Sequence, residues 1–191
     1  MTTALLVIDV QQSFVAHDSW ADISNPRLAE DLVPLVAASR ARGDVVIWVL
    51  HTDPGSGGVF DPTQGHVRLI GPLSPEPQET VLHKTSHNAF TSTDLQQRLD
   101  AAGIRRIRVV GIRTEQCVET TARVASDLGY EVRFVVDGTA TQPLGGLSAE
   151  QIIERTVTVL DGRFAEIETL AEAISDPGPG SKQEASTRVT R

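Results

Sequence analysis

Asp9, Lys84 and Cys117 lie far apart in the chain, yet each stands at or just beyond the end of a short apolar run. Asp9 follows Ala4–Ile8, Lys84 follows Thr80–His83, and Cys117 comes a few residues after Ile107–Gly111, where a helical pattern begins. The three residue types form a working set. A thiol attacks a carbonyl as the thiolate, and a helix N-terminus and a neighbouring ammonium both lower its pKa. A carboxylate beside them takes the thiol proton and later passes it to a leaving amine. Backbone N–H groups in the turn Gly111-Ile112-Arg113-Thr114-Glu115-Gln116-Cys117 offer an oxyanion hole. His83 makes a poorer base, because it neighbours Lys84 and adjacent strand residues point to opposite faces. Each member also has a plain structural use: Cys117 as a small buried hydrophobe, Asp9 as a turn cap, Lys84 as a solvated or ion-paired side chain. Their common placement at strand ends is what argues for chemistry.

That placement depends on the elements that carry them. Ala-Leu-Leu-Val-Ile at 4–8 is the continuous apolar run of a strand buried on both faces. Asn25 and Pro26 read as the cap and first residue of a helix over 26–42, whose Leu28, Leu32, Leu35 and Val36 recur at helical spacing until Gly43. Strands are predicted at 45–50, 80–83, 107–111, 131–136 and 164–167, and helices at 93–102, 116–128, 147–160 and 170–174. The 147–160 helix opens on the capping box Ser148-Ala149-Glu150-Gln151. Strands alternating with helices give βαβ units: an α/β domain of three α/β/α layers, with a doubly wound, mostly parallel six-stranded sheet. In such a sheet ligands bind beyond the carboxyl ends of the strands, the edge to which Asp9, Lys84 and Cys117 are assigned. Residues 51–79, rich in Gly and Pro and without periodicity, read as a functional lid or binding loop. The domain is expected over 1–175, with 176–191 a disordered tail.

Composition narrows the functions available. The chain has 191 residues, with 17 Lys+Arg against 25 Asp+Glu, so 17 − 25 = −8. This acidic balance argues against non-specific binding to nucleic acid or anionic membrane, and no window is apolar enough to span a bilayer or act as a secretory leader. A lone cysteine makes neither an internal disulfide nor a multi-thiolate zinc site, which suits a cytoplasmic protein. The first strand is followed by Val10-Gln11-Gln12-Ser13 and not by a glycine-rich dinucleotide fingerprint, and no phosphate-binding loop or serine nucleophile elbow occurs. His51 and Asp53, with His66, have donor types that suit zinc. Strand-end polar residues in a Gly-rich loop more commonly meet substrate or solvent, so neither metal nor cofactor is expected.

Leu6-Val7-Ile8-Asp9-Val10-Gln11-Gln12-Ser13-Phe14 resembles the opening motif of the isochorismatase-like cysteine hydrolases, the superfamily that includes nicotinamidases and N-carbamoylsarcosine amidases. Lys84-Thr85-Ser86-His87-Asn88-Ala89-Phe90 is similar to its lysine segment, and Gly111–Ala122 to its nucleophile motif. The resemblance runs in order from about residue 4 to 170. It implies an Asp9–Lys84–Cys117 triad, a cis peptide at Ile112–Arg113, and an oxyanion hole from the N–H groups of Arg113 and Cys117. It also implies that Phe14 and Phe90 wall the pocket; Trp20, His51, Phe60 and Thr114 are further candidate substrate contacts. Metal-binding nicotinamidases carry Asp-x-His after the second strand where this chain has His51-x-Asp53, a departure that tells against nicotinamide as substrate. The implied activity is hydrolysis of a C–N bond in a small amide, carbamoyl compound or lactam, by a protein that self-associates as a dimer or larger. Two alternatives stand beside it: a vinyl-ether hydrolase that does not use the thiol, and a non-catalytic binding or redox protein.

Overall fold

A computed structural model describes residues 2–178. In chain order the strands are β1 (Thr3–Ile8), β2 (Val45–His51), β3 (Thr80–Lys84), β4 (Arg106–Ile112), β5 (Glu131–Ala140) and β6 (Glu166–Glu168). The helices are α1 (Gln12–Val15), α2 (Leu28–Ala41), α3 (Leu95–Ala101), α4 (Glu119–Asp127), α5 (Ala149–Leu160) and α6 (Leu170–Ser175). The six strands form one sheet in the order β3-β2-β1-β4-β5-β6, and every pairing is parallel. The fold is therefore the doubly wound α/β architecture expected from the sequence. The order reverses between β1 and β4, which opens a crevice at their carboxyl ends.

Successive residues of β1 feed opposite cores, as strand pleating requires. Ala4, Leu6 and Ile8 pack with Leu99, Val109, Val118 and Ala122 on one face of the sheet. Leu5 and Val7 pack with Leu28, Leu32, Leu35 and Trp48 on the other. Every residue of β1 is buried, which is why its sequence is an unbroken apolar run rather than an alternating one.

Local differences from expectation have physical causes. α2 begins at Leu28 because the Asn25 side chain accepts from the Arg27 N–H (3.0 Å) and holds the entry as a turn; the helix then accommodates Pro34 in its interior. β5 runs on to Ala140 through a register shift against β4 between Val109 and Gly111. The 51–79 loop is pinned to the segment that follows β1. The Gln12 N–H donates to the Arg68 carbonyl (2.8 Å), the Ile70 N–H donates to the Val10 carbonyl (3.0 Å), and Gln11 and Leu69 form an antiparallel bridge. Within the loop, Asp61 accepts from the N–H groups of Gly57 and Thr63, holding its own pKa below the usual carboxylate range. The segment read as a tail begins differently from expectation: Asp176 accepts from the buried Arg108 guanidinium (2.9 Å), which also pairs with Glu168. Residues 179–191 of that segment lie outside the described residues.

Candidate active site

Asp9 leaves β1 with φ +55, a left-handed conformation that a non-glycine residue adopts only where its surroundings hold it. The hold is visible: its N–H donates to the Val49 carbonyl of β2 (2.8 Å), and its own carbonyl accepts from the Gln11 N–H (2.8 Å). Lys84 is the last residue of β3, and β2 lies between β3 and β1. Two strand spacings are about 9.6 Å, so a long side chain on β3 must reach towards Asp9, and Lys84 does so fully buried. Its ammonium stands 2.8 Å from Asp9 Oδ2. The same nitrogen donates to the Ser86 carbonyl (3.1 Å) and to Cys117 Sγ (3.4 Å), so one ammonium touches the carboxylate, the carbonyl and the sulfur.

Cys117 is carried by a π-helical turn, Thr114–Val118, that runs directly into α4. The Val118 N–H donates to the Arg113 carbonyl five residues back (3.2 Å), and the peptide Ile112–Arg113 at the head of the turn is cis. The turn can approach β1 because Gly111 has no side chain. At its φ of +133, a Cβ would lie 1.9 Å from the Ile8 carbonyl oxygen, a contact no neighbouring backbone can relieve. Strand ends from three parts of the chain thereby bring a carboxylate, an ammonium and a thiol into one buried cluster. Asp9 and Lys84 have no exposed surface, and Cys117 retains 8%.

The electrostatics differ from the sequence expectation. A helix start and an ammonium were to lower the thiol pKa; instead burial, with the Asp9 carboxylate second, pushes Cys117 up to about 12, against which Lys84 is too weak. Burial likewise raises the Asp9 pKa, with Lys84 opposing. Burial thus disfavours the anionic form of both the thiol and the carboxylate, and Lys84 is the cation that opposes it.

The other expected site residues divide. His51, at the end of β2, packs edge-on to Phe60 (5.4 Å between centroids), and Phe60 in turn to Phe14 (5.1 Å), making one aromatic group. Trp20 packs on the same core cluster as Phe14. Phe90 stands apart: it is buried and stacked on Tyr130 (5.8 Å), a residue at the opposite edge of the sheet, so its ring packs the core. Thr114 is wholly buried, and its hydroxyl donates to Thr139 (2.9 Å), a structural tie rather than an exposed contact. The Arg113 guanidinium reaches the Gln142 side-chain oxygen (3.0 Å) when that amide is oriented so that its nitrogen donates to Ser19 Oγ (2.9 Å). Among the described residues, His51, Asp53 and His66 do not gather with one another or with other side chains into a three-ligand metal cluster.

Sequence reasoning missed Gln11. Its buried amide accepts from the His51 N–H (2.7 Å) and donates to the His51 carbonyl (3.0 Å), locking the end of β2 against the exit of β1. A polar residue three places past a fully apolar strand is the available signal.

His51 carries a testable pH signature. Its Nδ1 is buried without a hydrogen-bond partner, and burial, with Lys84 and His87 nearby, lowers its pKa from 6.5 to about 4. Between those values the unfolded chain binds a proton that the folded protein does not, so this residue makes stability fall as the pH drops from about 6.5 towards 4. His51→Gln should flatten the fall in urea-unfolding free energy between pH 7 and 5; an unchanged slope would contradict the buried neutral imidazole.

Comparison with known proteins agrees with this architecture. Over 163 residues the chain is 35% identical to a streptothricin hydrolase of Streptomyces noursei, covering 85% of this chain and 58% of that protein. It is 26% identical to the ureidoacrylate amidohydrolase RutB of Klebsiella pneumoniae, covering 93% and 89%. A crystallised isochorismatase-family protein from Chromobacterium violaceum superposes with a TM-score of 0.83 at 30% identity, covering 91% and 92%. A cysteine hydrolase from Pseudomonas syringae superposes with a TM-score of 0.80 at 26% identity, covering 90% of each. The isochorismatase domain itself matches residues 3–172, and with the sheet order and the relatives on both sides of that match, the chain belongs to the isochorismatase family of hydrolases.

Proposed function

We propose that the protein hydrolyses a C–N bond in a small amide, carbamoyl compound or lactam, through a thioester on Cys117. The observation that carries this reading is the buried contact of one ammonium with both a carboxylate and a thiol, Lys84 Nζ to Asp9 Oδ2 at 2.8 Å and to Cys117 Sγ at 3.4 Å. Asp9 takes the thiol proton as sulfur adds to the carbonyl carbon, and Lys84, in contact with both, stays beside the negative charge as it passes from carboxylate to sulfur. The N–H groups of Arg113 and Cys117 receive the developing oxyanion. Asp9 returns its proton to the leaving nitrogen as the C–N bond breaks, releasing ammonia or an amine and leaving the thioester. Asp9 then takes a proton from water, whose oxygen displaces sulfur to give the acid and restore the thiol. The raised pKa of Asp9 suits a group that must both accept and donate.

The amidohydrolase among the relatives and the cysteine hydrolase among the structural neighbours support this over a vinyl-ether hydrolase, which has no use for the thiol. His51, Phe14, Phe60 and Trp20 are the proposed substrate-facing group, and substrate and water are the only small molecules the mechanism uses. The proposal places the protein in the cytoplasm, where a lone thiol stays reduced, and as a dimer or larger. Light scattering giving a mass of only 20.6 kDa would refute the assembly. No helix among the described residues is long and apolar enough to cross a membrane.

The functional test is ammonia or amine release from a panel of small amides, carbamoyl compounds and lactams, with intact-mass detection of an acyl adduct on Cys117. Release with an adduct supports the mechanism. Release without one, insensitive to alkylation of the thiol, would overturn it.

A further inference from the structure

One hydroxyl connects the thiol-bearing turn to the loop that follows Lys84, and a second braces that loop from within. Thr121, fully buried on α4 one turn past Cys117, donates to the Cys117 carbonyl (2.6 Å) and accepts from the Ala89 N–H (3.1 Å). The first bond is an ordinary back-bond from a helical threonine. The second is long-range, and it ties the cysteine segment to the loop over residues 85–92. Ser92, on the exposed side of that loop, accepts from the N–H groups of Thr85 (3.0 Å) and Ser86 (3.1 Å) and bonds the Ser86 hydroxyl (2.8 Å). The Ser86 carbonyl held in this way is the one that accepts from the Lys84 ammonium.

We propose that Thr121 and Ser92 are positioning residues, a clamp in which Thr121 ties the lysine loop to the cysteine turn and Ser92 braces the loop at Ser86, together setting the separation of Lys84 Nζ from Cys117 Sγ. This goes beyond the roles of Asp9, Lys84 and Cys117 in the hydrolase reading and rests on it for its catalytic meaning. The charged groups around the thiol are Asp9 from the exit of β1 and Lys84 from β3, with His51 at the end of β2 and His87 in the clamped loop near them. On the thiol's own segment, Glu115 bonds Thr141, and Glu119 pairs with Arg123 and Arg155. Lys84 is therefore the cation whose placement favours the thiolate, and slackening the clamp withdraws that help.

The test uses iodoacetamide on the full chain, whose single cysteine makes the product unambiguous. Thr121→Val, which keeps the shape and removes the hydroxyl, should slow alkylation of Cys117 at pH 9 about threefold, the reading of a thiol pKa raised by about half a unit. Thr121→Ser should restore the rate to within about twofold. Ser92→Ala should slow it in the same direction, and because Ser92 is exposed it reports even if the buried valine prevents folding. Purely structural loosening would expose the thiol and speed alkylation, so a faster or unchanged rate in the folded variants overturns the clamp, as does a serine variant that behaves like valine. Where turnover is measured, Thr121→Val should lower kcat about tenfold, the scale of a small misplacement of reacting groups, with KM moving less than twofold. Alkylation reads the clamp whether or not any amide is hydrolysed, so failure of the clamp and failure of the hydrolase reading give different results.

Discussion

Cys117→Ala should lose at least about a thousandfold in turnover, because loss of one oxyanion donor alone costs roughly 10²–10³ in such sites and this change removes the bond-forming atom. The fold should survive. Cys117 belongs to the same apolar core as Ile8, Val118 and Ala122, which alanine also suits, and a loss near 1 kcal/mol is the ordinary outcome of a single core change. Circular dichroism and a thermal melt would establish the folded state, and ammonia release would measure activity. A folded alanine variant that still turns over would remove the covalent route and return the vinyl-ether alternative, since Asp9 and Lys84 would remain in place. A folded variant without turnover, beside a wild type that forms an acyl adduct, secures the thiol as nucleophile.

The second large effect concerns stability. Lys84→Met leaves Asp9 buried with its charge uncompensated, a change that costs about 3–5 kcal/mol in comparable buried pairs. For a domain of this size that is a fall in Tm of about 6–20 °C, at about 2–4 °C per kcal/mol. The loss should depend on pH in a known direction. Burial raises the Asp9 pKa, and without the ammonium nothing in the pair opposes the rise. A folded-state pKa above the unfolded one means that folding favours the protonated acid, so the variant recovers as the pH falls and is weakest at high pH. Adding Asp9→Asn to Lys84→Met should return much of the lost stability while leaving activity absent, since a neutral amide no longer needs a counter-ion. A single variant melting within a degree of wild type at pH 8 would show that the pair does not hold a buried charge.

Apolar runs mark strands, and in a parallel sheet strand ends share an edge; on that basis the sequence assigns Asp9, Lys84 and Cys117 to one edge, where the structure gathers them. Their meeting was harder to read. Lys84 reaches Asp9 only by crossing over the end of β2, a fact of strand order that no local pattern contains. By its pattern the cysteine turn looks like the start of an ordinary helix, whereas it is a π turn following a cis peptide, and only the motif resemblance points to the latter. Thr114 and Phe90 look like pocket residues by neighbourhood, yet Thr139 and Tyr130, both brought in from around β5, turn them to structural use. The thiol pKa was misjudged because burial is a property of the assembled core, and burial outweighs a nearby charge.

The contact of Gly111 with the Ile8 carbonyl also bears on how halves of this domain can be inherited or recombined. β1 and β4 come from opposite halves of the chain, and the buried cluster is divided between those halves, with Asp9 and Lys84 before residue 105 and Cys117 after it. The seam between the halves is a backbone-to-backbone fit with no room for a methyl group. A chimaera joining residues 1–104 of this chain to the second half of a relative can therefore assemble its site only if that relative supplies glycine at the seam. One missing carbon atom decides which halves are compatible.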